Sequence, residues 1–159
     1  MKTKYVKILR ICFLVLILAT LLFIFINSAL PPETSSEQSG KVEDIITSII
    51  PADTTLGEFL VKYLRKIAHF TEYGLLGIEF ALMIMLLSVK RGKCALLSLT
   101  VPFFVGFIDE SIQILSKRGP SISDVWIDVG GFIFFGLIAY GVCFAVFFTV
   151  GKIKSKKGN

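Results

Sequence analysis

The feature that most constrains this chain is a run of 22 residues, 129–150, without a single charged side chain. A helix crosses the hydrocarbon core of a bilayer, about 30 Å thick, with about 20 such residues. Hydrophobic residues make up 54% of the chain and the mean hydropathy is +0.77, far above the values of a soluble domain. The sequence therefore predicts an integral membrane protein and excludes a large soluble enzyme domain.

Three further apolar runs, 11–26, 68–89 and 94–115, are close to spanning length. The first follows a basic segment, as a secretory signal does, but its length and the polar, proline-containing exit after it favour a retained helix. The second continues a helix that begins at Thr55, where Thr55 and Glu58 resemble a capping box. The fold class that follows is all-α: a polytopic integral membrane protein with a bundle of four transmembrane helices.

The chain divides where its composition changes. The segment before the second span is rich in Ser, Thr, Pro and acidic residues, which favours an aqueous loop. Isoleucines at helical spacing within 42–51 predict a short amphipathic helix there, lying on the membrane surface or on the protein itself. The predicted parts are an N-terminal transmembrane helix (1–30), an extracytoplasmic polar loop (31–54), a core of three transmembrane helices (55–151) and a basic cytoplasmic tail (152–159).

The distribution of Lys and Arg predicts the orientation in the membrane. The N-terminus, a basic turn at 90–93 and the C-terminal tail together hold 11 of these residues, and the other two connections hold 6. Because positive residues are retained on the cytoplasmic side, both termini are expected to be cytoplasmic. The same distribution explains the net charge of +5 without a nucleic-acid partner, since no basic patch is interleaved with aromatic residues.

The cysteines give no sign of a disulfide framework, and the one histidine and the acidic residues offer metal-ligating groups without a metal motif. Cys12, Cys94 and Cys143 lie in or beside apolar runs, where we interpret them as small apolar residues buried in the membrane. His69 is the only histidine, and the acidic residues around it lack the compact spacing of a zinc motif. We therefore expect no metal and no other cofactor.

The predicted spans carry more ionisable groups than a passive anchor needs. At 100° per residue, the polar side chains of the second span fall on one stripe about 140° wide, and those of the third and fourth spans on narrower arcs. Unpaired charges are costly in hydrocarbon, so these groups should face one another in a polar cluster open to the outer side. The candidate functional residues are Lys66, His69, Glu72, Tyr73, Asp109, Glu110, Gln113, Arg118, Asp124 and Asp128.

Two separated motifs carry a resemblance to a known family. The first, K-x-x-H-F-x-E-Y, begins at Lys66, and the second runs from D-E-x-x-Q at Asp109 into R-x5-D-x3-D-x2-G, which ends at Gly131. These residues resemble the hallmarks of VanZ-like membrane proteins, and the resemblance covers about residues 8–145. Asp128 stands where many members carry Asn, and a Pro-Gly pair that often precedes the arginine is absent.

The resemblance implies a multi-pass protein of the bacterial cell membrane with a role in the cell envelope. One relative lowers sensitivity to teicoplanin-type antibiotics. A first hypothesis is therefore that the acidic cluster binds or shields an amphiphile, either a lipid-linked wall precursor or a glycopeptide antibiotic, with cationic headgroups suiting the acids. The alternative is an intramembrane enzyme acting on a lipid-linked phosphate, with Glu72 or Asp109 as base and His69 as proton shuttle. A proton-coupled transporter is the third, and a purely structural ion-pair network the fourth.

The predicted orientation is testable by cysteine labelling. In a background with the three native cysteines replaced by serine, Ser39→Cys should react with a membrane-impermeant maleimide in intact cells, because it lies in the predicted outer segment. Gly92→Cys, in the basic turn, should react only after lysis and serves as the matched control. Labelling of Gly92→Cys alone in intact cells would contradict the orientation.

Overall fold

In the computed structural model, the backbone is described for residues 2–87 and 89–157, and the side chains for 4–87, 89–90 and 92–150. All of the described elements are helices: α1 (Lys2–Ala29), α2 (Pro32–Ile49), α3 (Thr55–Leu87), α4 (Arg91–Leu115) and α5 (Ile122–Lys157). The helices α1, α3, α4 and α5 are long and apolar enough to cross a membrane. The predicted all-α fold with four spanning helices is confirmed.

The segment after α1 differs from the predicted loop, because most of it forms α2. Two features explain why the helix starts about ten residues earlier than its isoleucine pattern indicated. Pro32 occupies the first turn, where a missing N–H costs nothing. Glu37 then pairs with Lys41 at 2.9 Å, one turn apart. The helix packs against α3, and Ile45 and Ile49 remain exposed.

Two predicted helix boundaries shift by a few residues. The cap of α3 is Thr54 and not Thr55, because the Thr54 hydroxyl accepts a hydrogen bond from the Gly57 N–H at 3.0 Å. At the other end of α3, the connection to α4 is shorter than the predicted turn at 90–93. The helix α4 already begins at Arg91, and Cys94 N–H donates to the Lys90 carbonyl at 2.9 Å.

Glycines allow α3 and α5 to pack backbone against backbone. A Cβ atom on Gly77 would collide with the Phe132 carbonyl, and one on Gly131 would collide with the Phe70 carbonyl. Gly136 lies over Gly77: a Cβ atom on Gly136 would be 3.2 Å from the carbonyl oxygen of Gly77. Small residues at a helix contact bring the backbones into close van der Waals contact, which supplies much of the association energy in lipid.

The helix α1 completes the bundle by packing on α3 and α4. Its Ile24 joins Tyr73, Leu76 and Phe132 in a fully buried apolar core. Near the other end of α1, the Arg10 guanidinium donates two hydrogen bonds, of 2.6 and 3.2 Å, to the Leu86 carbonyl in the last turn of α3. That contact satisfies one of the carbonyls that a helix end leaves without an intrahelical partner.

Substituting the contact glycines should destabilise the bundle. Gly131→Ala should lower the free energy of unfolding by about 1–3 kcal/mol, because the new methyl group forces α3 and α5 apart. Gly141→Ala, in the same helix but with no atom within 4 Å of the added Cβ, should be neutral or stabilising by up to about 1 kcal/mol. Denaturation in detergent micelles measures both; equal effects would contradict the close contact.

Candidate functional site

The polar residues of the bundle gather toward one end, which we call the polar end: the C-termini of α1 and α4, the first half of α3 and the N-terminus of α5. The side chains buried there form a group that we call the buried cluster. Each is at most 8% exposed, although all are polar or charged. Its members are Ser28, His69, Asp109, Glu110, Gln113, Asp124 and Asp128.

His69 is the point where three helices meet. Its Nδ1 lies 3.2 Å from Oδ1 of Asp128 on α5 and 3.9 Å from Oδ2 of Asp109 on α4. Both aspartates are completely buried. His69, from the stripe predicted on α3, therefore faces carboxylates on α4 and α5 and not lipid, where an unpaired charge is costly.

Hydrogen bonds from two other side chains orient Asp109. The Ser28 hydroxyl, from the end of α1, donates to Oδ1, and the Gln113 amide donates to Oδ2 at 3.2 Å. The same amide donates to Glu110 at 3.3 Å, and its oxygen accepts a hydrogen bond from the Arg65 guanidinium. Gln113 thus connects Arg65 at the edge to the buried carboxylates of Asp109 and Glu110 through hydrogen bonds.

The remaining acids of the cluster hold the connection between α4 and α5. Glu110 accepts a hydrogen bond of 2.6 Å from the Ser121 backbone N–H. Asp124 lies in the first turn of α5, where the helix dipole favours a negative charge, and accepts a hydrogen bond of 3.3 Å from Ser123. Both acids are buried, so this connection is fixed from inside the protein.

The C-terminus of α4 places Arg118. Lys117 adopts a left-handed backbone with φ of 59°, the position usually taken by glycine, and Arg118 N–H donates to the Gln113 carbonyl at 2.9 Å. With the bond from Lys117 N–H to Ile114, this is the Schellman arrangement that ends helices. The Arg118 guanidinium then donates to the Asn27 carbonyl at 2.9 Å.

A polar pocket of about 180 Å³ opens beside the buried cluster. Residues of α1, α2 and α3, together with Arg118, form its walls. His69 lines the pocket, and its partners Asp109 and Asp128 do not. Burial and the nearby positive charge of Arg65 lower the pKa of Arg118, but a guanidinium stays protonated at any physiological pH. Polar side chains on its walls include Asn27, Ser35, Ser39, Arg65, Glu72 and Arg118.

The predicted site residues do not all reach this region. Glu72 lines the pocket and accepts a hydrogen bond of 3.3 Å from Asn27, so it lies at the edge of the cluster. Tyr73 lies instead in the apolar core. Lys66 is exposed and makes no hydrogen bond or ion pair with the side chains that the structure describes. The structure does not bring Lys66 into the cluster.

Residues outside the predicted set also take part in the polar contacts between the helices. Arg65 lies on the same stripe as His69, four residues earlier, and its position was the signal that could have identified it. Ser28 and Asn27, in the polar exit from α1, offered only a weak signal. Deeper in the bundle, Thr20 donates to Glu79 at 3.0 Å, which gives that carboxylate a partner on another helix.

A larger cavity of about 490 Å³ lies between α3, α4 and α5 toward the opposite end of the bundle. Its walls are almost entirely apolar, from residues such as Phe80, Ile84 and Leu137. None of the predicted site residues lines it. We therefore place the candidate site at the polar pocket and the buried cluster.

The fold and this site define a multi-pass membrane protein whose polar groups converge at one end of a helical bundle. The chain belongs to the VanZ/LLP1 family, whose model matches residues 13–148, nearly the whole chain. No curated protein and no solved structure matches the chain significantly. The match confirms the family resemblance that the motifs beginning at Lys66 and Asp109 indicated.

Removing a buried carboxylate should be far more damaging than removing an exposed one. Asp109→Ala should lower the free energy of unfolding by about 3–5 kcal/mol, since Ser28, Gln113 and His69 all lose a buried partner. Glu37→Ala, which breaks the exposed pair with Lys41, should cost about 0.3–0.5 kcal/mol. Denaturation in micelles compares them, and similar costs would contradict the proposed network.

Proposed function

We propose that this protein binds the anionic headgroup of a membrane amphiphile in the polar pocket, with the ligand's hydrocarbon chain remaining in the lipid. With the orientation expected from the Lys and Arg counts, the pocket opens at the outer leaflet of the bacterial membrane. A lipid-linked wall precursor, which carries phosphate, is the ligand class that this site suits best.

The observation that carries the proposal is the pair of guanidinium groups, Arg65 and Arg118, on the walls of one small pocket. Each donates to only one acceptor among the side chains and carbonyls that the structure describes: Gln113 for Arg65 and Asn27 for Arg118. A guanidinium has five N–H donors, so several remain for a ligand. Planar, paired donors of this kind suit the bidentate recognition of phosphate or carboxylate.

The acids support the arginines more than they contact a ligand. Asp109 and Asp128 are fully buried behind His69, so a cationic headgroup in the pocket would not reach them. Gln113 links Asp109 to Arg65, because its amide donates to Asp109 and its oxygen accepts from Arg65, and this holds the Arg65 guanidinium at the pocket wall. Glu72 and the α2 serines remain on the walls and can bond hydroxyl or amine groups of a glycan.

Binding should require the phosphate and both arginines. The purified full chain in nanodiscs should retain a polyprenyl phosphate, measured by native mass spectrometry, and should bind the neutral polyprenol much more weakly. Arg65→Gln and Arg118→Gln should each weaken binding at least ten-fold, because a charge-assisted hydrogen bond contributes about 1.5–3 kcal/mol.

Lys62→Gln is the matched control, because Lys62 is an exposed cation on α3 that lies against Tyr63 and not on the pocket. It should leave binding unchanged. Equal retention of phosphate and alcohol, or equal losses from all three substitutions, would contradict a phosphate site. A teicoplanin-type antibiotic that displaces the polyprenyl phosphate from the wild type, and that does not bind the arginine variants, would show that this second ligand class uses the same pocket.

A catalytic role is the second candidate, favoured by His69 and Glu72 lining the pocket beside the arginines. A histidine and a carboxylate next to a bound phosphate ester are the groups that general acid-base hydrolysis uses. Release of inorganic phosphate from the polyprenyl phosphate, lost in Glu72→Gln with binding retained, would establish it. Stable retention of intact lipid would leave the binding role.

A further inference from the structure

The side chains of His69, Asp109 and Asp128 place a set of metal-ligating atoms at one point in the bundle. One ligand atom from each lies within 4.8 Å of the other two. His69 Nδ1 is 3.2 Å from Asp128 Oδ1 and 3.9 Å from Asp109 Oδ2. Tetrahedral coordination with bonds of about 2.1 Å separates neighbouring ligand atoms by about 3.4 Å, so the two distances bracket that value.

The charges of these three groups suit a divalent cation. Two fully buried carboxylates, when ionised, and a neutral imidazole would carry two negative charges. A protonated His69 would offset only one of them and leave the other in a membrane interior, where an unpaired charge is costly. A divalent cation neutralises both.

A second observation is that one carboxylate oxygen of the trio itself lacks a partner. Asp128 Oδ2 is buried and forms no hydrogen bond with any residue that the structure describes; the Tyr73 hydroxyl in the apolar core and Glu79 Oε2 deeper in the bundle are the other two such atoms among the described residues. Asp128 Oδ2 faces Gly106, one turn before Asp109 on α4, because a Cβ on that glycine would lie 3.3 Å from it. Buried polar atoms nearly always have a partner, and a cation held by the trio would supply one for this oxygen.

The surroundings resemble those that orient metal ligands. Both oxygens of Asp109 accept hydrogen bonds, from Ser28 and Gln113, as ligating carboxylates do in proteins. His69 also lines the polar pocket, which gives an ion a route from the aqueous side. Gly106 leaves space beside Asp128 where any larger residue would crowd the carboxylate.

We propose that His69, Asp109 and Asp128 bind a divalent transition-metal ion, for which Zn²⁺ is the best match. The imidazole ligand favours such an ion over Mg²⁺ or Ca²⁺, which prefer sites made of oxygen atoms alone. This proposal departs from the expectation of no metal, which rested on spacing: the ligands are 40 and 19 residues apart and meet only through helix packing. It does not depend on headgroup binding.

Metal analysis of the untagged full chain tests the site without any added lipid ligand. After treatment with a chelator, the wild type should take up one Zn²⁺ per chain, measured by mass spectrometry of the metal after desalting, and its Tm should rise. Mg²⁺ should cause no such rise. Asp109→Asn and Asp128→Asn should lose both effects, and Glu79→Gln, a buried carboxylate of α3 outside the trio, should keep both.

If the aspartate variants do not fold, Ser28→Ala decides, because it retains all three ligands and removes only a hydrogen bond to Asp109. It should weaken Zn²⁺ binding by about 10–100-fold. A wild type that retains no Zn²⁺ and shows no rise in Tm would overturn the proposal. So would equal uptake by the wild type, Asp109→Asn and Ser28→Ala, which would mark the zinc as adventitious.

Discussion

The contact between His69 on α3 and Asp128 on α5 is the interaction on which the rest of the polar end depends. Neither group can face lipid, so the two helices must meet at a fixed rotation and depth. The glycine contacts between these helices then bring the backbones close enough for the pair to form. Asp109 on α4 and Ser28 on α1 join the same point, so one polar junction sets the register of all four spanning helices.

This junction also gives the acidic residues and the arginines of the two motif regions different roles. The acids of the buried cluster lie in the interior, where they accept hydrogen bonds from neighbouring side chains and backbone, and Glu72 remains on the pocket wall. The two arginines lie at the edge and have N–H donors left for a ligand. The pocket walls therefore carry two guanidinium groups and one carboxyl group, although the motifs around the pocket are acidic. Because the donors left for a ligand are guanidinium groups, the proposed ligand carries a phosphate and not an amine.

The sequence predicted the spanning helices well, because 20 apolar residues in a row have few other solutions. For α2 it predicted only a short amphipathic helix within 42–51, because the polar composition before that segment hid the longer helix that Pro32 starts and the Glu37–Lys41 pair supports. Helical periodicity also placed His69 and Asp128 on inward faces. It could not show that Tyr73 joins the apolar core or that Lys66 stays exposed, because a stripe 140° wide includes both interior and edge positions.

The measurement that tests this account most directly is a double-mutant cycle between His69 and Asp128. The free energy of unfolding would be compared for His69→Leu, Asp128→Leu and the double variant in micelles. Each single change leaves a buried polar partner, so the double variant should cost less than the sum of the two by about 0.5–3 kcal/mol. Additive costs would show that the two side chains do not meet, and would contradict the polar junction.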